Sequence, residues 1–214
     1  MAPSVELRLL DLDRAPADAS ALPSAERERA RALAEPARRR FLAGRTALRR
    51  LLAARLALPP EAVPIVLGPF GKPLLAGGRP PLAFSLARAG RWGLLAIGAV
   101  ATLGVDLERL RPLDDPEALA AFLLDPGERR ALAALPPAAR NRVLLRAWVR
   151  EEAHRKAEGT GLRDEPAMRG GHGRPESLAL LDLEPGPGLV AALAAPSPLG
   201  EVHCFDGGRA PGRA

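Results

Sequence analysis

Residues 103–112 read Leu-Gly-Val-Asp-Leu-Glu-Arg-Leu-Arg-Pro, and the rest of the chain is arranged around them. Just upstream, residues 92–99 (WGLLAIGA) are apolar and bounded by charge, which predicts a buried strand. Residues 102–108 predict a second strand, the two forming a central hairpin. Side chains alternate faces along a strand, so Asp106 and Glu108 leave one face while Val105 and Leu107 leave the other. Two carboxylates aimed at one point repel each other unless something positive sits between them. A hard divalent cation such as Mg²⁺ suits that geometry, because it takes oxygen ligands and keeps waters and phosphates in its other positions. An isolated Asp-x-Glu fits solvated acids on the open face of an edge strand equally well, so its weight comes from the remainder of the chain.

That remainder is 214 residues long with 47% hydrophobic content, enough to bury a core. Only 3% of residues are aromatic, and there is no tyrosine. Of 31 basic residues only Lys72 and Lys156 are lysines, leaving 29 arginines. The net charge of +6 favours anionic partners. Cys204 is the single cysteine, which excludes an intrachain disulfide and any multi-cysteine metal site. The N-terminal residues carry acids and no apolar segment of the kind a signal peptide needs. The longest apolar run, 92–105, is shorter than the roughly 20 residues of a membrane helix. A soluble, cytoplasmic protein without a membrane partner is the expectation.

Residues 5–12 alternate as an opening strand, and a helix with Ser24 as its N-cap follows. Residues 37–57 form the clearest helix, with Phe41, Leu48, Leu51, Leu52 and Leu56 on one stripe and arginines over most of the rest. Pro59-Pro60 ends it. Strands are predicted at 62–67 and 82–86, separated by the turn GPFGKP and a Gly/Pro-rich link. From residue 116 the pattern turns helical, with one helix over about 116–134 and another over about 138–158, split by Pro136-Pro137. Residues 163–177 read as a mobile loop, followed by short strands at 178–183, 188–193 and 201–205 and a basic tail. One long helix per half predicts two similar α+β halves, 1–100 and 101–214, meeting near residue 100.

The helix at 138–158 carries Trp148, Glu152 and Lys156 at spacings of four, so they share one face. Glu152 is a candidate third carboxylate for the strand pair. As an ordinary exposed pair, Glu152 and Lys156 would add only about 0.2–0.5 kcal/mol. Both lysines of an arginine-rich chain fall in segments of interest, Gly71-Lys72-Pro73 and this helix. A compact ammonium suits a phosphate oxygen beside a metal. Gly159 and Gly161 end the helix.

Taken in order, these segments resemble the 4′-phosphopantetheinyl transferases of the broad-specificity type that serve peptide and polyketide synthases. The resemblance covers about residues 24–162. It rests on GKP at 71–73, FSLARAGRW at 84–92, GVDLERLRP at 104–112 and the tryptophan-led motif running from Trp148 to Leu162. It implies a pseudo-dimer of two α+β halves with the active site in the cleft between them. It also implies transfer of 4′-phosphopantetheine from coenzyme A to a serine of an apo acyl or peptidyl carrier protein, with release of 3′,5′-ADP. Carried onto this chain, Asp106, Glu108 and Glu152 would hold Mg²⁺, Glu152 would accept the serine proton, and Lys156 would stabilise the phosphoryl oxygens. Lys72, Arg40, Arg88 and Arg27 would join Lys156 in binding coenzyme A. A monomer is the expectation, with no nucleic-acid partner, since interleaved aromatics and a reading motif are absent.

The chain departs from the family pattern in two places. Ala87-Arg88 stands where a serine–histidine pair is usual, and Glu151 stands where a lysine is usual. These departures motivate one alternative, a catalytically lapsed relative that binds coenzyme A or a carrier without turnover. The remaining singular residues read as structural: His154, His172, His203 and Cys204 lack metal-ligand spacing, and Trp92 and Trp148 read as core anchors.

Overall fold

The computed structural model describes residues 4–68, 70–77, 82–160 and 178–205. The loop expected at 163–177, Gly161 and the basic tail lie outside the described residues. Among those described there are five α-helices and three sheets, a mixed α+β fold.

The strand β1 (Val5–Asp11) is antiparallel to β5 (Trp92–Gly98), which in turn pairs antiparallel with β4 (Ala83–Ala89). The last strand, β9 (Val202–Phe205), returns to the start of the chain and pairs parallel to β1, giving the order β4-β5-β1-β9. A second sheet has β6 (Gly104–Arg109) and β7 (Leu178–Leu183) on either side of β8 (Leu189–Pro196). A two-stranded hairpin joins β2 (Ile65–Leu67) to β3 (Pro73–Leu75).

Period-two burial explains why β5 is apolar throughout. Leu94 and Ala96 enter one core, shared with Val105 and Leu107 of β6 and with Ala191, Leu193 and Ala195 of β8. Leu95 and Ile97 enter another, under Leu48 and Leu52 of α2 (Ala37–Leu56). The opposite face of the second sheet, through Val190, Ala192 and Ala194, packs on Leu145, Val149, Ala153 and Ala157 of α5 (Pro137–Glu158). One long helix therefore covers each of the two larger sheets.

Four local expectations change. β5 and β6 do not form a hairpin: β5 already has β4 and β1 on its two edges, so β6 crosses to the second sheet and the hairpin is β4–β5. The helix expected over 116–134 is two helices, α3 (Pro116–Leu123) and α4 (Pro126–Ala133). Asp125 and Glu128 form a reciprocal capping box that restarts the helix behind Pro126. Ser24 is the first residue of α1 (Ser24–Arg31), and Pro23 occupies the cap with no side-chain hydrogen bond. The strand expected at 62–67 begins only at Ile65, after a 3₁₀ turn at Pro60–Ala62.

One close approach sets the position of the functional residues. A Cβ on Gly104 would lie 1.9 Å from the carbonyl oxygen of Ala153 and 2.5 Å from the nitrogen of Ala157. Only glycine lets the α5 backbone rest directly on β6 here.

Candidate active site

Asp106 leaves the α5 side of β6 and is 7% exposed. Lys156 Nζ donates to its Oδ1 at 2.6 Å, tying the end of α5 to the strand. Burial pushes the Asp106 carboxyl up, and Lys156 only partly offsets that. The Glu108 carboxyl is also raised, by burial and then by Asp106. Glu152, one turn before Lys156, is raised by burial and by Asp106, against the pull of Lys156 and Arg155. Its Oε1 is buried and has no hydrogen-bond partner among the described residues. Glu108 and Glu152 each feel the charge of Asp106, and burial holds all three carboxyls above their ordinary values.

Lys72 sits in the β2–β3 turn and reaches across to α5. Its ammonium donates to Thr102 Oγ1 at 2.9 Å and to the carbonyl oxygen of Ala157 at 2.9 Å. Burial lowers its pKa to about 8. Gly71, at φ +79°, supplies the left-handed residue that this turn needs.

A cavity of about 850 Å³ connects these groups to the first helices. Glu152, Lys156, Arg155 and Lys72 line one end, while Arg88, Arg29, Arg45, Glu26 and Phe41 line the other. Arg29 and Arg88 both lie over the Phe41 ring, 5.5 and 5.9 Å from its centroid. Partial desolvation, then the charges of Arg29 and Arg45, hold the Arg88 guanidinium below its usual value. This end therefore carries concentrated positive charge beside an aromatic face, suited to a phosphorylated nucleotide.

Of the residues the sequence singles out, Lys72, Arg88, Glu152 and Lys156 line this cavity, and Asp106 touches Lys156. Arg40 and Arg27 do not line it. Arg40 forms a bidentate pair with Asp13, at 2.7 and 3.0 Å, and Arg27 donates to the carbonyl oxygen of Leu22. Among the described residues no three His, Cys, Asp or Glu side chains are arranged to hold a metal as they stand. Instead Lys156 takes the Asp106 oxygen. The donors are nevertheless of the type a hard divalent cation takes, carboxylate oxygens with raised pKa values, one of them orphaned, although Glu108, like Asp106, does not line the cavity.

Arg29, Arg45 and Glu26 do not emerge from the sequence reading, and Phe41 emerges only as a member of the apolar stripe of α2. Their signal was the placement of Arg45 and Arg49 beside Phe41, Leu48 and Leu52 on the stripe of α2 that faces the core. Arg49 is 2% exposed and binds Glu26 and the carbonyls of Pro60 and Val63, so it does not belong to a solvated arginine face.

The chain is similar to known proteins of one family. The model of the 4′-phosphopantetheinyl transferase superfamily matches residues 102–177. The chain is 34% identical over 167 residues to the 4′-phosphopantetheinyl transferase HetI of Nostoc sp., covering 73% of this chain and 70% of that protein. It is 34% identical over 126 residues to a putative 4′-phosphopantetheinyl transferase of Synechocystis sp., covering 58% and 51%. It is also 34% identical over 119 residues to the 4′-phosphopantetheinyl transferase AcpT of Salmonella typhimurium, covering 56% and 58%. A strand that presents paired acids to a lysine-bearing helix, in a chain this similar along most of its length, places the protein in the 4′-phosphopantetheinyl transferase superfamily.

Proposed function

We propose that the protein moves 4′-phosphopantetheine from coenzyme A to a serine hydroxyl of an apo acyl or peptidyl carrier protein, using Mg²⁺ and releasing 3′,5′-ADP. The observation that carries this reading is the single cavity whose arginine end and carboxylate–lysine end are continuous. Its volume of about 850 Å³ lies within the range of sites that enclose a cofactor-sized ligand. In this reading the molecule is a pseudo-dimer of halves 1–100 and 101–214, and the cavity is the cleft between them. The nucleotide end of coenzyme A meets Arg29, Arg45, Arg88 and Phe41, and the diphosphate meets Lys72 and Lys156.

Asp106, Glu108 and Glu152 would hold Mg²⁺ together with water and diphosphate oxygens. When bound, the ion neutralises diphosphate charge and aligns the serine with the leaving group. Glu152 Oε1, buried and without a partner among the described residues, accepts the serine proton. The serine oxygen forms a bond to the phosphorus that carries pantetheine. The bond from that phosphorus to the bridging oxygen breaks, and the electron pair leaves on 3′,5′-ADP. Lys156 and Lys72 stabilise charge gathering on the phosphoryl oxygens.

Neither residue 87 nor residue 151 lines the cavity. Ala87 is buried in the core between the sheets, and Glu151 is paired with Arg155. Ser85 supplies a hydroxyl on the cavity wall and accepts the Val105 N–H at 3.1 Å. The broad-specificity subtype, a monomeric state and a cytoplasmic setting belong to the same proposal. No described helix is long and apolar enough to cross a membrane. The test is to incubate folded protein with coenzyme A, Mg²⁺ and a panel of apo carriers and to weigh the carriers. A gain of one phosphopantetheine on at least one carrier supports the reading, and no gain on any carrier contradicts it.

A further inference from the structure

The last turn of α5 is held from two sides by the only two lysines of the chain. Lys156 donates to Asp106 on β6, and Lys72 reaches in from the β2–β3 turn. The second contact is a cluster of three groups. Lys72 Nζ donates at 2.9 Å to the carbonyl oxygen of Ala157 and at 2.9 Å to Thr102 Oγ1, and the Thr102 hydroxyl donates to that same carbonyl. α5 ends at Glu158, so Ala157 carries one of the terminal carbonyls left without a partner inside the helix. A cation there also complements the negative end of the helix dipole. The lysine stem is confined as well, since a Cβ on Gly159 would lie 3.4 Å from Lys72 Cδ. Lys72 and Gly159 line the cavity, whereas Thr102, on the crossing from β5 to β6, does not.

Counting hydrogens fixes the direction of each bond. A hydroxyl has one proton to give, and here it goes to Ala157, so Oγ1 accepts from Lys72. An ammonium has three N–H groups and accepts nothing. Two of them are engaged among the described residues, on Thr102 and on Ala157, and the third remains for an anion in the cavity. We propose that Thr102 is a positioning residue for the transfer reaction: with the Ala157 carbonyl it holds the Lys72 ammonium on the cavity wall, so that the remaining N–H meets a phosphate oxygen of coenzyme A. This rests on the function proposed above. A four-carbon stem has much rotamer freedom, and anchoring two N–H groups before the ligand arrives removes that ordering cost from binding.

Calorimetric affinity for coenzyme A is measured for Thr102→Val, Thr102→Ser, Lys72→Met and the double variant Lys72→Met with Thr102→Val, with thermal unfolding as the control. Thr102→Val is expected to weaken binding by about threefold to tenfold, and Thr102→Ser, which keeps the hydroxyl, to stay within about twofold of wild type. In the Lys72→Met background Thr102→Val is expected to have no further effect, because the group it positions is gone. An equal loss in both backgrounds would mean that Thr102 acts only through the end of α5, and would overturn the assignment. So would wild-type affinity in Thr102→Val, or a loss in Thr102→Ser as large as in Thr102→Val. A second measurement needs no variant at 102. With lysine labelled by nitrogen-15 the chain gives two side-chain ammonium signals, and Lys72→Met identifies the one from Lys72. Its hydrogens are expected to exchange more slowly than those of free lysine and its signal to shift when coenzyme A is added; exchange at the rate of free lysine, or no shift, overturns the assignment. Failure of the wild-type protein to bind coenzyme A at all overturns the proposed function, and this assignment with it.

Discussion

Glu26 and Glu152 line the same cavity, yet their carboxyls are driven in opposite directions. Glu26 is surrounded: Arg49 binds both of its oxygens, at 3.0 and 2.8 Å, and Arg45 joins through Nε at 2.9 Å. Burial raises its pKa, but the two guanidiniums outweigh that and bring it to about 2. For Glu152 the pull of Lys156 and Arg155 does not offset burial and the neighbouring acids, so its pKa rises, and Oε1 has no partner among the described residues. Opposed shifts within one cavity separate the carboxylate that holds α1 against α2 from the carboxylates left for chemistry.

The largest expected effect breaks the satisfied side of this contrast. Glu26→Ala leaves Arg49 buried and unpaired, so unfolding in denaturant should show a loss of about 3–5 kcal/mol. The sign of the pH dependence follows from the lowered pKa. Stability contributed by Glu26 is present above its ordinary value of 4.5 and is lost as pH falls through about 2. Wild type should therefore lose about 3 kcal/mol across that window, and Glu26→Gln should lack this step.

Asp106→Asn tests the other side. Its carboxyl is raised, so ionised Asp106 adds no stability at neutral pH, and unfolding should move by less than about 1 kcal/mol. Carrier loading should fall by about a hundredfold or more, the scale of metal-borne charge stabilisation. A variant that loads normally but unfolds easily would erase the distinction between the two acids.

Gly104→Ala should cost about 1–3 kcal/mol, because a methyl group there meets the α5 backbone. It should also slow loading by lifting Glu152 and Lys156 away from Asp106, which a rate measurement on the folded fraction would detect.

Lys72 gives a smaller effect with a defined sign. Its pKa of about 8 lies below the ordinary 10.5, so the unfolded chain binds more protons between those values and stability rises with pH there. Coenzyme A affinity should nevertheless fall, by about fivefold over the unit above pH 8, as the ammonium is lost. Lys72→Met should remove that alkaline fall. Arg40→Ala is expected to leave affinity unchanged, since Arg40 is engaged with Asp13 and does not line the cavity.

The carboxylate–lysine end was readable from the chain because it obeys two short periods. Alternation on β6 sets Asp106 beside Glu108, and spacing by four on α5 aligns Glu152 with Lys156. The arginine end was not readable in this way. Arg88 was named only through the family resemblance, and Arg29 and Arg45 are two of 29 arginines that tertiary packing brings to the same cavity. Strand order was equally hidden. The run at 92–99 shows that β5 is buried on both faces, but not that β1 and β4 already fill both of its edges. The break between α3 and α4 was open to reading, since Asp125-Pro126-Gly127-Glu128 spells a capping box with proline at the first helical position. Helical periodicity on either side masked it.

The most direct test of the account is the single-turnover rate of carrier loading by Glu152→Gln at saturating coenzyme A, in protein shown to be folded. A rate about 10²–10⁴-fold below wild type is the predicted result for a carboxylate that takes the serine proton and helps to hold Mg²⁺. Loading at the wild-type rate would contradict it and would return the orphaned oxygen of Glu152 to being an unexplained cost of the fold.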